Sequence, residues 1–122
     1  MKITAFYPQI ISKDAYSAIK LFEALGFEQI PDNNGSGTFS FYAIRMKDCN
    51  GFSVDVIEAE RMPGDRDCTA IRMNTDDFDA TYQYLIGKGF RETGDFILNT
   101  PPCGKYVFLI SPTGLLIDLC HI

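Results

Sequence analysis

The apolar and polar positions of this chain sort into two successive sets, each reading as a strand, a helix and then short strands. Ile3 to Ile11 is a strand candidate. After it, Ala15, Ala18, Ile19, Phe22 and Leu25 recur at helical spacing, with Ser12 placed to cap the helix and Gly26 suited to its C′ position. The second set opens with a strand candidate over Thr69 to Asn74. A helix then starts at Thr75, with Asp76 and Asp77 in the first turn, where the dipole favours acids, and ends near Gly89. Phe78, Tyr82, Leu85 and Ile86 give that helix its apolar face. Each helix leads into Gly-Phe and β-prone runs divided by the turns Asn33-Asn34-Gly35, Asn50-Gly51, Thr93-Gly94-Asp95 and Pro112-Thr113-Gly114.

The two sets are in register with each other. Gly51-Phe-Ser-Val-Asp55-Val56 and Gly114-Leu-Leu-Ile-Asp118-Leu119 lie 63 positions apart, each a turn glycine followed by an apolar strand with an acid at the same step. The same offset relates Asp14 to Asp77, Gly26-Phe27 to Gly89-Phe90, and the run Ile44 to Met46 to Val107 to Leu109. This is an internal duplication: one domain over 1–122, with a first βαβββ module of about 1–60 and a second of about 67–122. Glu60 to Asp67, charged and carrying Pro-Gly, is the joint. One helix per module covers one sheet face, so the other face must meet the sister module, a second chain or a ligand.

Charge and composition narrow the partners. A net charge of −5 argues against nucleic acid and against anionic membrane surfaces, both of which need a basic stripe. No apolar run reaches the ~18 residues of a membrane span, and the start lacks a signal peptide's apolar stretch. Cys49, Cys68, Cys103 and Cys120 form no CxxC or zinc spacing, so a cytoplasmic protein with reduced thiols is expected. No Gly-x-Ser-x-Gly or Cys–His pattern supports nucleophilic catalysis, and Gly35-Ser-Gly37 reads as a hairpin turn, not a phosphate loop.

With its tandem βαβββ modules, helix-to-Gly-Phe endings and closing Ser111-Pro-Thr-Gly114-Leu-Leu-Ile-Asp118, the chain resembles the vicinal oxygen chelate superfamily, which includes glyoxalase I, extradiol dioxygenases and bleomycin-resistance proteins. The resemblance implies an α+β fold: a curved, cup-shaped mixed sheet with helices outside and the site inside. In metal-using members four ligands come from the first and last strands of the two modules. The last-strand carboxylates correspond to Asp55 and Asp118. The first-strand ligands, usually His, would lie near Phe6 or Tyr7 and at Ala70, where this chain has no histidine. Its one histidine, His121, lies at the far end.

Strand alternation sets Ser53, Asp55 and Ile57 on one face and Phe52, Val54 and Val56 on the other, toward the helix. Asp118 likewise faces inward with Leu116 and Cys120, opposite Leu115, Ile117 and Leu119. An acid inside an apolar strand is costly to bury unless paired or hydrated, so each is either a solvated residue or part of a cavity wall. Arg72 shares the face of Ala70 and suits either an ion pair with Asp55 or Asp118 or an anionic group on a ligand. Tyr7 and Gln9 are the repeat equivalents of Ala70 and Arg72 and line the opposite wall, with Pro8 between them removing a backbone donor. Phe39, Phe41, Tyr42, Tyr106 and Phe108 offer flat apolar surface near the cup.

The expected protein binds a small organic molecule without a metal cofactor, through Tyr7, Gln9, Asp55, Arg72 and Asp118, as a homodimer with neither nucleic acid nor membrane as partner. At most a divalent ion would be weakly held at Asp55 and Asp118. The rival readings are a divergent metal-dependent lyase, isomerase or dioxygenase, and a non-catalytic dimeric regulatory module.

Overall fold

The computed structural model describes residues 1–30, 43–64, 66–98 and 105–121. The first module comprises β1 (Ile3–Ser12), α1 (Ala15–Ala24), β2 (Glu28–Gln29), β3 (Ala43–Lys47) and β4 (Ser53–Arg61). The second comprises β5 (Cys68–Thr75), α2 (Phe78–Gly87), β6 (Arg91–Glu92), β7 (Ile97–Leu98), β8 (Lys105–Ile110) and β9 (Leu116–His121). The strand order is β2-β3-β4-β1-β5-β9-β8-β6, and β7 lies off this path, pairing with β4. The result is an α+β fold with a curved, open mixed sheet.

The modules join edge to edge through β1 and β5, which run antiparallel and pair Tyr7 with Arg72, Pro8 with Ile71 and Gln9 with Ala70. Each of those six residues is the repeat counterpart of another, so an approximate twofold axis passes between Pro8 and Ile71. Beside this seam each module makes the same parallel pairing. Gln9 lies next to Asp55 in the first, and Arg72 next to Asp118 in the second. The second ladder begins one residue earlier, at Ile71, whereas its counterpart Pro8 has no N–H to contribute.

Both helices start and stop by the same chemistry. Asp14 and Asp77 are the N-caps, accepting from the backbone N–H groups of Ser17 and Ala80 at 3.1 Å. Ser12 and Thr75, expected at the helix starts, sit two residues further out and accept from the N–H of Asp14 and Asp77. They hold the caps; they are not the caps. At the other ends Gly26 and Gly89 take left-handed φ values of 98° and 96°. Phe27 N–H reaches the Phe22 carbonyl and Phe90 N–H the Leu85 carbonyl, closing a Schellman motif in each module. In the first, the Phe22 and Phe27 rings meet edge-on with centroids 5.4 Å apart.

Alternation along the strands divides the core as expected. Ala15, Ala18 and Ile19 of α1 bury Met46, Val54 and Val56, while Phe78, Tyr82, Leu85 and Ile86 of α2 pack on Leu109, Ile117 and Leu119. Phe52, Leu115 and Leu25 are exceptions, lying exposed at the ends of their elements. The opposite sheet face carries a cluster drawn from both modules, with Ile11, Ile57, Ala59 and Met62 against Ala70, Phe108, Leu116 and Cys120. Phe39, Phe41, Tyr42 and Cys103, and the turn at Asn33 to Gly37, lie outside the described residues.

Candidate functional site

Within that shared cluster sit four polar side chains: Gln9, Asp55 and Asp118, each 0% exposed, and Arg72 at 6%. Their strands follow one another across the middle of the sheet as β4, β1, β5 and β9. The polar contacts cross the seam between modules. Gln9 Nε2 donates to Asp118 Oδ2 at 2.9 Å, and Arg72 Nη1 donates to Asp55 Oδ2 at 3.2 Å. Each acid is thus held by the repeat counterpart of its own sheet neighbour.

Asp55 has a second cation that sequence reasoning missed. Arg45 on β3, directly opposite Asp55 in the antiparallel ladder, donates from Nε to Oδ1 at 2.9 Å and from Nη2 to Oδ2 at 3.3 Å. A forked pair of this kind is among the stronger side-chain contacts. Burial works against the Arg45 charge, but the hydrogen bonds and charge of Asp55 outweigh it and raise its pKa. The guanidinium also lies over the Tyr7 ring, 3.9 Å from its centroid. Strand alternation held the signal: Arg45 interrupts the apolar run Ile44 to Met46 at the position facing Asp55.

The second module differs at this point. Opposite Asp118 on β8 stands Phe108, the repeat counterpart of Arg45. Cys120 Sγ approaches Asp118 Oδ1 at 3.4 Å. Tyr106 lies nearby, and its phenol is pushed up chiefly by burial, then by Asp118 and Cys120. Gln9 Oε1 is buried and accepts no hydrogen bond from the described residues.

Tyr7, Gln9, Asp55, Arg72 and Asp118 therefore fall within one neighbourhood of the sheet. The four side chains joined across the seam are Gln9, Asp55, Arg72 and Asp118, while Tyr7 stacks on Arg45 and Ala70 is a buried wall residue. The residues beside the acids on the first strands are Gln9 and Arg72, two positions further along than Tyr7 and Ala70.

A solved structure with this architecture is a glyoxalase/bleomycin resistance protein/dioxygenase superfamily member from Vibrio splendidus 12B01. It matches with a TM-score of 0.54 at 14% identity, covering 98% of this chain and 98% of that one. This chain shares the fold of that structure. An uncharacterized protein from Methanosarcina mazei is similar at a TM-score of 0.45 and 13% identity, covering 99% of this chain and 94% of that one. No protein-family model and no curated protein matches the sequence.

Against the ligand set expected of the superfamily's metal-using members, this quartet is a poor host for a divalent ion. One of its four positions is the Arg72 cation, and the Asp55 oxygens already accept from two guanidiniums. Among the described residues no group of three or more His, Cys, Asp or Glu comes together. An ion placed here would face like charge and have few donors left.

Proposed function

We propose that this chain binds a small organic molecule in the cup of its sheet without a resident metal, in the manner of a bleomycin-resistance protein and not of a glyoxalase. The observation that carries this reading is Arg72, a guanidinium bonded to Asp55 and set beside Asp118 in the sheet, where a metal-using cup would gather its ligands. Positive charge at the centre of the quartet comes from protein, and with Asp55 and Asp118 it forms a fixed polar group set among apolar side chains. Such a surface suits a ligand with a polar or cationic group on a hydrocarbon body.

The test has two parts. Elemental analysis of protein purified without chelator should find no stoichiometric manganese, nickel, iron or zinc. Titration calorimetry and thermal-shift screens against cationic antibiotics and common metabolites should give binding that survives treatment with EDTA. A bound transition metal that disappears in Asp118→Ala would replace this reading with a metal-dependent lyase, isomerase or dioxygenase.

The apolar cluster around the quartet favours a second reading, in which this face is closed by protein in a regulatory module. That reading expects no small molecule to shift the melting temperature, and a stable dimer unaffected by Asp55→Asn.

A further inference from the structure

The two halves of the polar group are built differently, and the difference specifies what the second half can receive. In the first half Asp55 is enclosed by Arg45 and Arg72, so donors and acceptor answer one another. In the second half the side chain opposite Asp118 is the Phe108 ring, and Gln9 Oε1 is buried without a donor among the described residues. An amide oxygen in that state has lost its hydration with nothing in exchange. Turning the amide over gives no relief, because Oε1 would then face Asp118 Oδ2, acceptor against acceptor. The partner this oxygen lacks must be a group that donates.

The surroundings add a second requirement. Phe108 is flanked by Tyr106, with ring centroids 6.0 Å apart and near-perpendicular planes, and by Phe96 at 5.0 Å. Polar chemistry at Gln9 and Asp118 thus adjoins a wall of aromatic rings. A carboxylate brings only acceptors to the Gln9 oxygen, so it is refused there.

Resting on the reading of the cup as a ligand site, we propose that its second-module half is the recognition half. Its ligand presents a neutral or cationic donor, an amine, amide or hydroxyl, to Gln9 Oε1 and lays an apolar body against Phe108 and Tyr106. Gln9 is then the residue that sets specificity, accepting from the ligand while its Nε2 stays on Asp118.

Four probes of one shape test this: benzylamine, benzamide, benzyl alcohol and benzoate, each titrated into isotope-labelled full-length protein and followed by the Gln9 side-chain amide signals. The donor-bearing probes are expected to shift those signals saturably, together with the Phe108 and Asp118 backbone amides, and benzoate is not. In Gln9→Met the donor probes should lose about tenfold in affinity, the worth of one good hydrogen bond. The wild-type series decides the matter even if that variant fails to fold. Benzoate binding at Gln9 as well as benzylamine does, or no donor probe moving Gln9, overturns the proposal. Benzoate bound instead at Arg72 would keep the cup as a ligand site and sink only this assignment, whereas a resident metal sinks the earlier reading.

Discussion

Gln9 of the first module holds Asp118 of the second, 2.9 Å from amide nitrogen to carboxylate oxygen, and both side chains are fully buried. The twofold relation of the modules makes a matching contact, Arg72 to Asp55, at the counterpart positions. The duplicated strands thus do more than repeat. Each contributes an acid that accepts a hydrogen bond from the other module, which couples the docking of the modules to the completion of the site. The two contacts are unequal, one an ion pair and the other an amide on a carboxylate.

Removing Asp55 should therefore be among the most damaging single changes in the protein. Asp55→Ala takes their shared carboxylate from the buried Arg72 and the part-buried Arg45, a loss of about 3 kcal/mol. Urea denaturation should show the midpoint falling steeply in Asp55→Ala. The double variant Asp55→Leu/Arg72→Met should recover part of the loss, since it removes both buried charges together. Equal loss in the double variant would mean that the pair is not coupled.

The duplication was legible because it rests on local chemistry that recurs at one offset: turn glycines, helix-ending Gly-Phe, and acids at one step of a strand. Alternation alone placed Val54 and Val56 toward α1 and Asp55 away from it. Three kinds of feature were not legible. Helix starts shifted because Ser12 and Thr75 are good cap residues by type, yet Asp14 and Asp77 stand two residues nearer the helix with their own side chains free to cap. Which first-strand residue lies beside each acid depends on ladder register, a long-range property that sequence does not print. Arg45 was hidden for a simpler reason, since one cation inside an apolar run looks like the exposed side of a strand until its partner is known.

The two helix-ending glycines should differ in their tolerance of a side chain. Both have positive φ, so alanine at either costs on the order of 1–2 kcal/mol. A Cβ at Gly26 would meet nothing within 4 Å, whereas one at Gly89 would sit 3.0 Å from Pro112 Cγ. Gly89→Ala should therefore lower the thermal midpoint more than Gly26→Ala does. Equal shifts in the two variants would argue that Pro112 yields freely.

On the acid side, the Asp14 carboxyl is held below the usual aspartate range, first by the Ser17 hydroxyl and then by the Ser17 backbone N–H. A depressed folded value means that this contribution to stability is complete above the ordinary pKa of about 3.9 and is lost as pH falls through the folded one. Carbon-detected titration of Asp14 should show its midpoint rising toward the ordinary value in Ser17→Ala, where only the backbone donor remains. An unchanged midpoint would rule out the hydroxyl as the main cause.

Thiol reactivity should report the same burial that shapes the cup. Cys49 is exposed, Cys68 is half-buried and Cys120 lies in the shared cluster beside Asp118. The Cys68 thiol is pushed up, first by burial and then by the neighbouring Asp67 charge, so little of it is thiolate at neutral pH. Iodoacetamide labelling followed by peptide mass spectrometry should modify Cys49 first and Cys68 more slowly. Cys120, buried in the shared cluster, should react more slowly than either. Labelling of Cys120 as fast as that of Cys49 in the native protein would show that its thiol is not held inside the shared cluster.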